Sequence, residues 1–203
     1  METKRTVITA LFAALIVAGS YVTIPIGLIP ITLQTLFVLL AGLLGGTRIG
    51  LSAVAVYLVL GAIGLPVFSG GVGGFAQFAS PTGGFLISWP LAVAVSGLCA
   101  DAGFRIAGGY RGKHAKTIHV LWLVLGALLF TAIMYTIGLA VLRFRLGLTW
   151  SRTLAVGLIP FIPGDIIKMV CALILAELFT AKVRTFPNGS CLKEEDHASE
   201  SRP

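Results

Sequence analysis

Asp165 and Lys168 stand in the run Phe161-Ile162-Pro163-Gly164-Asp165-Ile166-Ile167-Lys168, two opposite charges in an otherwise apolar neighbourhood. A charge at the centre of a membrane helix costs roughly 2.5–3.5 kcal/mol on insertion scales, so it is kept where it pairs or meets a ligand. On a helix starting at Gly164 the two residues, three apart, share a face. Pro163 suits the start of that helix, where its missing N–H is not needed. Both charges then sit in the first turn, near the membrane surface rather than the midplane. A carboxylate that accepts and an ammonium that donates can hold a small polar ligand there. A purely structural ion pair is the alternative for the same two residues.

The second chemical stretch is the loop from Ser69 to Gly84, with Gly70, Gly71, Gly73, Gly74, Phe75, Gln77, Phe78, Ser80, Pro81, Thr82 and Gly83. Its glycines let backbone approach a ligand closely, and Pro81-Thr82-Gly83 makes a turn into the next helix. It lacks the Gly-Lys-Ser/Thr of a phosphate-binding loop. A flexible connector is the bland reading; a lid over a ligand is favoured because topology puts this loop at the same membrane face as Asp165 and Lys168.

These residues have to be positioned by membrane helices. Of 203 residues 57% are hydrophobic and only 11% charged, with a mean hydropathy of +0.97. Soluble domains carry about 25% charged residues. The net charge of +7 resides in loops and ends, without the basic, aromatic-interleaved stripe of a nucleic-acid binder. Cys99, Cys171 and Cys191 show no disulfide spacing. The basic start before an apolar run resembles a signal peptide, but no cleavage site of small residues follows Ala18, so an uncleaved first helix is expected.

With roughly 20 apolar residues per span, the sequence predicts an all-α integral membrane bundle of six helices, about 6–24, 32–48, 50–66, 83–107, 118–142 and 164–182. Gly42, Gly46 and Gly50 repeat every fourth residue, permitting close backbone approach. Pro90 is expected to kink its helix. The segment 149–162, with Pro160 and Pro163 at its end, reads as an interfacial or re-entrant piece. Residues 1–185 form the membrane domain and 186–203 a polar, disordered tail.

Lys4, Arg5, Arg48, Arg105, Arg111, Lys113, Lys116, Lys182 and Arg184 fall on alternate loops and both ends, while 25–31 and 67–82 carry no Lys or Arg. The positive-inside rule places both termini in the cytoplasm. Arg143, Arg145 and Arg152 are the exception and would lie outside.

Ala10, Ala14 and Ala18 form a small-residue strip on the first helix, for which packing inside the bundle is the default expectation. Asp101 and Arg105 are spaced as a helical ion pair, and Glu177 is expected to snorkel or bond locally. His114, His119 and His197 have no metal-ligand pattern around them. Motifs of intramembrane aspartyl proteases, rhomboid-like serine proteases and zinc proteases are absent, and no polar rings suggest a channel.

Four motifs in order then carry a resemblance over about residues 6–182: Pro30-Ile31-Thr32-Leu33-Gln34-Thr35, Gly61-Ala62-Ile63-Gly64-Leu65-Pro66-Val67-Phe68, Ser80-Pro81-Thr82-Gly83-Gly84-Phe85, and Phe161-Ile162-Pro163-Gly164-Asp165 with Lys168. The chain resembles the BioY family, the biotin-specific S components of energy-coupling-factor (ECF) transporters. The resemblance implies the six-helix S-component fold, biotin bound near the outer face, and loops at about 25–31 and 67–82 closing over it. It implies that Asp165 and Lys168 make polar contacts and that loop three supplies an amide, for which Gln77 is the candidate. Phe75, Thr82, Gly83 and Trp89 complete the expected substrate site. It further implies that Ala10 and Ala14 dock on a transmembrane coupling subunit, with two ATPase subunits supplying energy and no cofactor or metal in this chain. An S component for another small vitamin, or a structural or channel-like membrane protein, are the competing readings.

Overall fold

The computed structural model describes residues 2–24, 30–107 and 113–184. The disordered tail expected after residue 185 and most of the first loop lie outside them.

Helix α1 (Glu2–Tyr21) is followed by two short antiparallel strands, β1 (Thr23–Ile24) and β2 (Ile31–Thr32), which pair Thr23 with Thr32 and Ile24 with Ile31 and so clasp the base of the first loop. The helical stretch α2 (Gln34–Ala62) is broken at Gly46, whose φ of 71° and ψ of −174° are non-helical. The chain reverses there. Gln34 Nε2 reaches Tyr57 Oη at 2.5 Å, whereas 23 residues of straight helix would separate them by about 35 Å. The two antiparallel arms correspond to the second and third expected helices, with the turn at Gly46 rather than residue 49.

The reversal has a local cause. At φ near +71° a side chain would be strained, and a Cβ at Gly46 would also collide with the Asp101 carboxylate. A Cβ on Gly50 would lie 3.0 Å from Gly42 Cα and 2.9 Å from the Ala41 carbonyl oxygen, so glycine lets the arms touch. The second arm begins with Thr47, whose backbone N–H would otherwise have no partner. Asp101 Oδ2 accepts from that N–H at 3.0 Å and from Thr47 Oγ1 at 2.8 Å. The expected Asp101–Arg105 pairing therefore takes another form: Arg105 Nε donates to the Asp101 backbone carbonyl at 3.4 Å, while the carboxylate caps the hairpin.

Helix α3 (Gly83–Ala107) has the predicted bounds. Helix α4 (Lys113–Leu146) is longer than predicted at both ends, because a hydropathy ruler stops at the charged turns around Lys116 and Arg143. α1 ends three residues earlier than expected, where Val22 leads into β1. After α4 the chain makes the short helix α5 (Trp150–Gly157), then α6 (Ile162–Arg184), bent from α5 by 53° across a short break. This is the piece predicted as interfacial or re-entrant.

The six spans, α1, the two arms of α2, α3, α4 and α6, surround one core centred on Ile16, Leu43, Val54, Tyr57, Val93, Leu123 and Phe130, each nearly inaccessible. α1 buries Phe12, Ala13, Ile16, Gly19 and Ser20 on one stripe. Ala10, Ala14 and Ala18 face outward and are exposed, so packing inside the bundle does not explain that strip. Lys116 and Glu177, 2.5 Å apart, tie the start of α4 to α6. The alternation of spans puts both arms' outer ends, the 63–82 loop, α5 and the first turn of α6 at one end of the bundle.

Candidate ligand-binding site

That end contains a cavity of about 120 Å³, measured as the space open to the centre of a water molecule. One water needs roughly 10–15 Å³ on this measure. Asp165 and Lys168 lie in its wall, with Pro30, Thr32, Gln34 and Thr35 on one side and Tyr135, Gly157 and Phe161 on the other. Trp89, Phe85, Leu86 and Met134 supply its apolar surface. A mostly apolar hollow with a few convergent polar groups is what a small-molecule site requires.

α6 begins at Ile162, so Pro163 occupies its first turn without breaking a hydrogen bond. Asp165 lies in that turn, where the helix dipole favours a negative charge. Lys168, one turn deeper, approaches Asp165 Oδ1 at 2.5 Å, with both side chains largely buried. Lys168 Nζ also donates to Thr35 Oγ1 at 2.9 Å and to the Thr32 carbonyl at 3.1 Å. An ammonium has three N–H donors, and these three acceptors engage all of them. The second carboxylate oxygen, Asp165 Oδ2, accepts from the Tyr135 hydroxyl. Each carboxylate oxygen has room for a further acceptor bond, so Asp165 is the member of the pair that can still bind a ligand N–H.

The floor is a layer of buried polar and aromatic groups. Gln34 Nε2 donates to Tyr57 Oη, and Gln34 Oε1 accepts from Thr32 Oγ1 at 3.2 Å. The Tyr57 and Trp89 rings lie 5.8 Å apart. Trp89 Nε1 is buried in the cavity wall without a hydrogen-bond partner, and so is Ser69 Oγ. Buried polar atoms are almost always paired. Two orphans facing one cavity are groups a ligand can satisfy.

The glycine-rich loop is folded rather than a slack connector. Phe68 N donates to Val72 O at 2.9 Å and Gly74 N to Gly61 O at 2.7 Å. The Phe68 ring, 2% exposed, packs against Tyr57 and Phe78. A short 3-10 helix, Phe75–Ala79, follows. Phe68, Ser69, Val72 and Gln77 from this segment line the cavity, as does Thr82.

Of the residues singled out in the sequence, Asp165, Lys168, Gln77, Thr82 and Trp89 line this cavity; Phe75 and Gly83 do not. Phe75 is 76% exposed and stacks obliquely on Phe78. Gly83 is buried where a Cβ would strike the Phe78 carbonyl, so it serves the turn into α3. Tyr135, Thr35, Ser69 and Gln34 were not singled out as site residues. Thr35 and Gln34 belong to a motif already quoted; Tyr135 carries no local signal.

Fold and site together define a multi-pass helical membrane protein that closes loops and helix ends around a small-molecule cavity. The sequence model of the BioY family matches residues 1–185, and the chain belongs to that family. It is 42% identical over 178 residues to the Biotin transporter BioY of Rhizobium etli, covering 86% of this chain and 92% of that protein. It is 37% identical over 177 residues to the "Probable biotin transporter BioY" of Pyrococcus horikoshii, covering 87% and 96%. The crystal structure of the S component for biotin from an ECF-type ABC transporter superposes with a TM-score of 0.76 at 28% identity, covering 88% of this chain and 91% of that one.

Proposed function

We propose that this protein captures biotin at the outer face of the cell membrane and serves as the substrate-binding S component of an ECF transporter. The observation that carries the reading is the cavity in which Asp165, oriented by Lys168 and Tyr135, faces apolar walls of Trp89, Phe85, Leu86 and Met134. Biotin's ureido ring offers two N–H donors and a carbonyl, and its tetrahydrothiophene ring and aliphatic chain are apolar. Asp165 accepts ureido N–H, and charge-assisted bonds of this kind are the stronger class. With its donors engaged, Lys168 holds Asp165 in place through their ion pair, exchanging one internal bond if it meets the ureido carbonyl. Gln77, Ser69 and Thr82 bound the cavity from the loop side, where the tail carboxylate would lie.

The same reading covers the rest of the transport cycle. Both termini lie in the cytoplasm, and the exposed Ala10 and Ala14 strip receives a transmembrane coupling subunit. Two ATPase subunits of that module hydrolyse ATP, and this chain acts as a binding subunit rather than a catalyst. Small exposed side chains on a membrane helix permit close helix–helix approach, which supports such docking. A competition panel tests the substrate: labelled biotin bound to purified protein should be displaced by unlabelled biotin and by no other vitamin. Displacement by a different vitamin at lower concentration would replace biotin in this reading.

A further inference from the structure

We infer that Arg143, Arg145 and Arg152 form a cationic rim that draws an anionic ligand to the cavity mouth, governing its arrival and not its retention. The inference rests on the reading of biotin, whose tail is a carboxylate, as the ligand.

The three arginines break the charge asymmetry that orients the other loops, and the fold gathers them at one corner. Arg143 and Arg145 lie in the last turn of α4, and Arg152 lies in the first turn of α5, which the three residues Gly147, Leu148 and Thr149 join to α4. All three are exposed. The Arg143 guanidinium sits 4.7 Å from the Trp150 ring centroid, which fixes the corner. On its inner side Leu139 and Leu142 pack with Phe161, and Phe161 and Gly157 line the cavity. Tyr135, which touches the bound carboxylate of Asp165, is eight residues before Arg143, about 12 Å along the helix.

Among the described residues, the connections at this end carry no acidic or lysine side chain. The segments 22–33, 63–82 and 147–164 contain no Asp, Glu or Lys, and the nearby Asp165 is matched by Lys168. Because the three donors of Lys168 are engaged, the cavity offers no uncommitted cation to a carboxylate. The rim supplies the attraction from outside instead. At physiological ionic strength the screening length is about 8 Å, and it grows to roughly 30 Å at 0.01 M. A rim that begins about 12 Å along α4 from Tyr135 therefore acts mainly on approach, and more strongly at low salt.

The test is the association rate of labelled biotin with protein in nanodiscs of zwitterionic lipid, at about 0.01 M and about 1 M ionic strength. The triple variant Arg143→Gln, Arg145→Gln, Arg152→Gln should bind roughly threefold to tenfold more slowly at low salt, with an unchanged dissociation rate. The difference should vanish at high salt, where equal affinity also shows the variant is folded. The corresponding triple lysine variant should retain the wild-type rate, and the uncharged methyl ester of biotin should reach wild type and variant equally fast. Equal biotin association rates at low salt would overturn the rim alone. So would a faster dissociation of acid and ester alike, which marks a contact, or a deficit confined to anionic-lipid nanodiscs, which marks headgroup binding. Failure of the wild type to bind biotin would remove the ligand reading and the inference with it.

Discussion

The two charges on α6 are not equivalent. Lys168 meets three acceptors with three donors, while Asp165 retains free acceptor capacity towards the cavity. Asp165→Asn keeps the shape and removes the charge, and a hydrogen bond to a charged group is worth about 1.5–3 kcal/mol. Biotin affinity should therefore fall by roughly one to two orders of magnitude, read by equilibrium binding, with the protein still folded. Tyr135→Phe removes the hydroxyl that aims Asp165 Oδ2 and should weaken binding by about tenfold, within the same range. An unchanged dissociation constant in Tyr135→Phe would show that this hydroxyl does not set the site. The i,i+3 charge spacing was readable in the sequence because such pairs are rare in apolar stretches. Tyr135 was not, since it lies 30 residues away with no motif around it to mark it. Phe75 looked suitable by composition, yet the fold of the loop turns it out and puts Phe68 and Val72 in the wall instead.

At the scale of elements, the α2 hairpin holds one wall of the site, since its first arm supplies Gln34 and Thr35 and its second arm supplies Tyr57, which holds Gln34 from behind. Its turn depends on Gly46 and on the Asp101 carboxylate at Thr47. Asp101→Ala leaves the Thr47 N–H and hydroxyl without that acceptor, a loss of about 1–3 kcal/mol. It should lower the thermal midpoint of the purified protein while leaving biotin affinity, measured below that midpoint, close to wild type. Gly46→Ala should be more damaging, because it adds backbone strain to the collision with Asp101. A thermal midpoint equal to wild type in Asp101→Ala would contradict the capping role. The number of spans was legible because apolar length sets it. The turn was displaced by three residues because Arg48, a polar marker, follows the reversal instead of marking it. The ends of α4 were misjudged for a related reason: a helix does not stop where its hydropathy does, and its charged turns continue as helix beyond the apolar core.

For the whole molecule, the proposed function needs ligand binding and docking to use different surfaces. The cavity opens among the loops at one end, whereas Ala10 and Ala14 lie exposed on the outside of α1. Ala10→Trp or Ala14→Trp should leave biotin binding intact and abolish uptake in cells that carry a complete transport module; uptake at the wild-type rate would remove the docking role. The sequence showed the spacing of that strip but not its direction. Alanine every fourth residue fits an inward or an outward face equally well, and only Phe12, Ala13 and Ile16 turning inward decides between them. The central claim is that Asp165 at the head of α6 binds a biotin N–H within this cavity. Equilibrium binding of labelled biotin to purified wild type and to Asp165→Asn tests it most directly. Saturable binding by the wild type, weakened at least about tenfold in the variant, is the result predicted; equal affinity in the two proteins would contradict it.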